Sequence, residues 1–110
     1  MDNKIKEKVQ QLQMIEQNMQ NMLAQKQQFQ WQLVEIESAL KELVSTNKAY
    51  KIVGNIMISK DKEELKKELE QKKDIVELRI KTIEEQEKKV KERATAMQSE
   101  VMKKLGSKNE

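Results

Sequence analysis

The sequence has no cysteine, no histidine and no proline, only two glycines, and a single Trp, Tyr and Phe. Without Cys or His there are no disulfides, thiolate nucleophiles, imidazole bases or usual zinc ligands. Aspartate is scarce as well, standing only at Asp2, Asp61 and Asp74. No apolar run approaches the roughly 20 residues of a membrane span. The N-terminus carries no signal-peptide apolar region, so a soluble, cytoplasmic protein without membrane contact is expected. With 36% hydrophobic against 37% charged residues and so few aromatics, the 110-residue chain lacks the material for a large globular core and is one domain at most. Interior proline would cost a helix about 3 kcal/mol, and its absence beside abundant Gln, Glu, Lys, Leu and Met is the composition of long helices. The net charge of +3 is small and its acids and bases are interleaved, which speaks against a nucleic-acid partner. The glycines, Gly54 and Gly106, build no phosphate-cradling loop, so no nucleotide or other cofactor is expected and the chain does not read as an enzyme.

What the sequence does contain is two apolar seams. From Leu12 the positions Ile15, Met19, Met22, Lys26, Phe29, Leu33, Ile36, Leu40 and Leu43 follow at alternating spacings of three and four, and only Lys26 is polar. This is the 3.5-residue period of a coiled coil. Ile5 and Val9 continue the apolar face with a slight slip in phase, and Asp2 or Asn3 is placed to cap a helix occupying residues 1–46. Between Val9 and Val34 the outer positions hold ten Gln and the only charges are Glu16 and Lys26. That neutral face reads as a solvated surface, or as a contact that does not select by charge. Trp31 lies off the seam, as a packed-down surface aromatic or a residue covered by a neighbouring subunit.

The second seam runs Leu69, Lys73, Val76, Ile80, Ile83, Glu87, Val90, Ala94, Met97 and Val101, with the same alternation. Its helix is predicted over 61–105. Asp61 and Glu64 form a variant capping box at its start, and Gly106 is a stop before a loose tail of 106–110. Glu-before-Lys pairs four apart line its outer face, among them Glu63 with Lys67, Glu68 with Lys72 and Glu84 with Lys88, each worth about 0.2–0.5 kcal/mol.

Between the helices, residues 49–59 break the helical pattern. Two short β-branched and aromatic runs flank Gly54-Asn55, a pair suited to the positive φ angles of a two-residue hairpin turn. Such a turn sets Val53 opposite Ile56 and Lys51 opposite Ile58 on one face, with Ile52 opposite Met57 and Tyr50 opposite Ser59 on the other. A lone hairpin with apolar residues on both faces needs further strands, and the chain supplies none. Tyr50, Ile52, Val53, Gly54, Asn55, Ile56, Met57 and Ile58 are therefore candidates for oligomerisation.

The two seams align as an antiparallel pair. Leu43 with Leu69, Ile36 with Val76, Met22 with Val90 and Ile15 with Met97 sum to 112. The intervening pairs sum to 113, and one of them sets Lys26 opposite Glu87. The sole polar residue of the first seam thus meets one of only two in the second, which suggests an ion pair that fixes register. At 1.5 Å rise per residue the arms extend roughly 65 Å, with both termini at the end away from the hairpin.

The expected fold is thus mainly α, a long antiparallel two-helix coiled coil joined by one β-hairpin that oligomerises with strands of other chains. The connector Ala49-Tyr50-Lys51-Ile52-Val53-Gly54-Asn55-Ile56-Met57-Ile58 and the segment Thr82-Ile83-Glu84-Glu85-Gln86-Glu87 resemble motifs of the prefoldin family. The single hairpin is similar to its archaeal beta type, since the alpha type carries two. Ser45-Thr46-Asn47-Lys48 departs from the acidic and Pro residues that often precede the Tyr-Lys motif in relatives. The resemblance implies a cytosolic heterohexameric chaperone in which two alpha and four beta subunits pool their hairpins into a double β-barrel, with a group II chaperonin as recipient of its clients. At the open end Ile5, Val9, Leu12, Met14, Ile15, Met97, Val101, Met102 and Leu105 are candidates for gripping unfolded proteins. Leu12, Ile15, Met97 and Val101 also fill the seam, whereas flexible, polarizable Met suits varied apolar partners. Holding would need no ATP, and several weak tips would act by avidity. The alternative is a structural coiled-coil adaptor or tether, which has no use for a self-associating hairpin. A nucleic-acid binder would announce itself by salt-sensitive binding.

Overall fold

The structure, a computed structural model, describes residues 3–108. Helix α1 (Asn3–Ser45) is followed by β1 (Ala49–Val53), β2 (Ile56–Lys60) and helix α2 (Lys62–Lys108). Asp2, one of the two predicted caps of α1, lies outside the described residues, as do Asn109 and Glu110 of the expected tail. The chain divides into two units, one of Met1–Lys26 with Thr82–Glu110 and one of Gln27–Lys81.

All twenty residues of the two predicted seams are buried or half-buried. Shielding at a strict three-four spacing is what coiled-coil packing requires, because only the residues facing the other helix leave water. In the unit holding the chain ends, the seam also extends past Leu12. Lys8 and Ile5 are shielded at the next two steps, and Ile5 retains only 1% exposure. The expected slip in phase therefore does not occur. Ile5, Lys8 and Leu12 keep the alternation, and the charge of Lys8 had masked it.

In the other unit the hairpin is a two-stranded antiparallel sheet with the register Ala49↔Lys60, Tyr50↔Ser59, Lys51↔Ile58, Ile52↔Met57 and Val53↔Ile56. That is the register a two-residue turn dictates. Among the described residues only Gly54 takes a positive φ, of 61°, and no non-glycine residue does, so of the Gly54-Asn55 pair expected to share positive angles Asn55 does not. Glycine at the first central position is the type II′ arrangement, whose twist suits the flanking strands. The approach to β1 is held locally. Ser45 Oγ donates to the Glu42 carbonyl at 3.2 Å, and Thr46 Oγ1 donates to the Lys48 carbonyl at 3.1 Å and accepts from the Lys48 N–H.

Asp61 stands before α2, and its carbonyl accepts the Leu65 N–H at 2.9 Å, the first bond of the helix. Glu63 and Glu64 in the first turn favour its positive end. The helix passes through Gly106 to Lys108, so the predicted stop at residue 105 is corrected. Gly106 does not take the positive φ of a C-terminal cap. Glycine inside a helix costs only about 1 kcal/mol and no proline follows to end it.

Candidate functional site

The hairpin leaves its apolar residues in water. Ile52 is 68% and Met57 65% exposed, and Tyr50, Val53, Ile56 and Ile58 are exposed as well. Gly54 and Asn55 at the turn are likewise open. No further strand exists among the described residues. Ala49, Lys51 and Lys60, at the base of the sheet, are the only strand residues shielded.

The two lysines pair with a residue of α2. Lys51 Nζ lies 2.6 Å from Glu68 Oε1, and Lys60 Nζ lies 3.5 Å from Glu68 Oε2. One carboxylate thus takes a lysine from each strand. The hydrogen bond from Lys51, reinforced by both positive charges, holds the Glu68 carboxyl below its usual 4.5 even though burial works in the opposite direction. Helical spacing had assigned Glu68 to Lys72. Its partnership with the hairpin could have been suspected from the two lysines that the register places on one face of the sheet. Farther along this unit, Lys73 Nζ reaches Glu37 Oε1 at 3.8 Å and Glu77 at 4.0 Å. The Arg79 guanidinium lies 5.6 Å from the Phe29 ring centroid, covering a seam aromatic with a cation. Trp31 is 70% exposed beside Gln27, Gln30 and Val34, so it is not packed down on the helix.

In the unit of the chain ends the structure brings together Lys26 and Glu87, whose Nζ and Oε1 are 2.9 Å apart with side chains 20% and 17% exposed. Pairing with Glu87 lifts the Lys26 ammonium above its usual 10.5, against the opposing effect of burial. Lys8 pairs with Glu100. The bond raises the one and lowers the other from their usual values.

The nine apolar candidates of this unit fall into three groups. Met14 and Met102 are exposed, whereas Val9, Leu12, Ile15, Met97 and Leu105 are half-buried. Ile5 and Val101 are buried in the seam. Val9, Leu12, Ile15, Met19 and Ala94 line a shallow groove of about 370 Å³ between the helices. Among the described residues no helix is long and apolar enough to cross a membrane.

Fold and surface together define a class: paired helices closed by a conventional coiled-coil seam, with a hairpin whose apolar faces are unfilled. Residues 6–108 match the family described as "Prefoldin subunit". The chain is 40% identical over 96 residues to the prefoldin subunit beta of Archaeoglobus fulgidus, covering 84% of this chain and 83% of the relative. It is 36% identical over 99 residues to that of Methanothrix thermoacetophila, covering 87% and 82%. The crystal structure of the prefoldin beta subunit from Thermococcus strain KS-1 superposes with a TM-score of 0.88 at 29% identity, over 94% of each chain. The chain belongs to the prefoldin family, a family of chaperone subunits.

Proposed function

We propose that this chain is an ATP-independent holding chaperone subunit of the cytoplasm. In this reading its hairpin joins those of alpha and further beta subunits, two and four in number, to form a β-barrel base, while the open ends of its helices hold unfolded proteins and pass them to a group II chaperonin. The hairpin carries the reading. Its strands expose apolar side chains on both faces, which an isolated sheet in water does not sustain and which strands from other subunits would cover. Relatives named as beta subunits support a place in such an assembly. Met14 and Met102 are the exposed apolar residues best suited to clients of varied shape, with the groove beside Ala94 taking larger side chains. The adaptor alternative leaves the hairpin without a use. The deciding experiment mixes the chain with an archaeal alpha-type subunit and measures the mass of the product. A heterohexamer supports the reading, and two monomers that do not combine refute it.

A further inference from the structure

We propose that Glu68 is the positioning residue of the hairpin: by taking both Lys51 and Lys60 it fastens one face of the sheet's base to α2 and so determines which face is offered to a neighbouring subunit. The inference rests on the assembly role proposed above.

Alternation along the strands sets Ala49, Lys51, Val53, Ile56, Ile58 and Lys60 on one face and Tyr50, Ile52, Met57 and Ser59 on the other. Lys51 and Lys60 are diagonal neighbours on the first face. At that spacing, about 7–8 Å, long side chains interact and like charges repel. The carboxylate of Glu68 stands between them, with Oε1 2.6 Å from one ammonium and Oε2 3.5 Å from the other. Lys51, Lys60 and Glu68 are all half-buried. Glu68 thereby replaces a repulsion by two attractions. Every residue of the opposite face, Tyr50, Ile52, Met57 and Ser59, is exposed, whereas the first face is shielded at its base, at Ala49, Lys51 and Lys60, and exposed only at Val53, Ile56 and Ile58 toward the turn.

A hairpin of two strands is marginal by itself, so its orientation in the free chain depends on contacts made outside the sheet. The ion pairs to Glu68 are such contacts, and both strands take part. Without them either face is free to meet a neighbour. Strand pairing between subunits is then weakly specified in register, because a slip of one residue exchanges the faces.

The chain has no cysteine of its own, so nitroxide labels can be placed through Ser59→Cys and Lys66→Cys, both at exposed positions. The distance distribution between them, measured in the free full-length chain, is expected to be single and narrow in the parent and at least twofold broader in Glu68→Gln. A charge-inverted variant, Lys51→Glu with Lys60→Glu and Glu68→Lys, should narrow it again. Circular dichroism verifies that the helices persist in each. A Glu68→Gln distribution as narrow as the parent's overturns the proposal. So does an inverted variant that stays broad, because the effect then does not come from the charges. In a second arm, Glu68→Gln should assemble with an alpha-type subunit at least tenfold more weakly than the parent, and equal assembly also overturns the proposal. A parent chain that does not assemble at all refutes the assembly reading, while the label distances still judge whether Glu68 orients the hairpin.

Discussion

Lys26 and Glu87 meet across the helix pair, with Nζ 2.9 Å from Oε1, where the alternation of each helix brings opposite charges together. Sliding one helix by a heptad would set each against apolar residues and leave it unpaired. We expect Lys26→Leu and Glu87→Leu singly to lower stability by about 1–2 kcal/mol each, less than for a fully buried pair because both side chains keep some water. The double Leu variant should return to the parent's stability or exceed it. Chemical denaturation of the four proteins in a double-mutant cycle measures this, and a coupling near zero would show that the pair contributes nothing to alignment.

The hairpin should be separable from the helices. Ile56→Asp with Ile58→Asp places two charges on exposed strand positions. Helicity by circular dichroism is expected to stay within about a tenth of the parent's, since surface substitutions of this kind rarely disturb a distant packed seam. Assembly with an alpha-type subunit should be lost. Assembly at parental strength in light scattering would remove the hairpin from the interface.

Client holding should follow the exposed methionines more than the buried seam. Met14→Gln with Met102→Gln leaves the buried seam residues Ile5 and Val101 unchanged and removes flexible apolar surface. Suppression of a denatured protein's aggregation is expected to fall several-fold while the mass of the assembly is unchanged. Undiminished suppression would move the holding surface elsewhere, with the Gln-rich outer face of α1 as the next place to test.

The two ion-pair sites set opposite pH limits. Glu68 is held below its usual 4.5, so its contribution is complete above that value and is lost as pH falls through the lowered one. Lys26 is lifted above 10.5, so its contribution is complete below that value and is lost as pH rises through the raised one. Thermal unfolding followed by circular dichroism should therefore show Glu68→Gln differing from the parent at neutral pH and converging with it in acid. Lys26→Leu should converge with the parent only in strong alkali. Parallel curves at constant offset would contradict both assignments.

The seams were legible because a coiled coil writes its packing into residue spacing. Leu43, Val76 and Ile83 are buried for the same reason that they sit three and four residues from their neighbours. The strand register was legible because a two-residue turn leaves no freedom in which residues face each other. Glu68 was not, because its partners lie on strands that approach it only once the chain has folded back, and local spacing offered Lys72 instead. Ile5 escaped for a different reason. A charged residue, Lys8, occupies the seam position between it and Leu12, so counting apolar residues loses the phase that counting positions would keep. At the turn, Gly and Asn looked interchangeable as left-handed residues, whereas type II′ geometry uses only the first.

Trp31 gives the free chain a built-in optical gauge. It is the sole Trp, the protein has one Tyr besides, and its indole stands largely in water on the outer face of α1. Emission from the uncombined chain should accordingly lie at the long wavelengths of a hydrated indole and be open to quenching by iodide. Any neighbour that covers this stretch of helix would shift the spectrum to the blue and shield it from the quencher. The arrival of other subunits along the arm can therefore be timed by fluorescence, without attaching a dye.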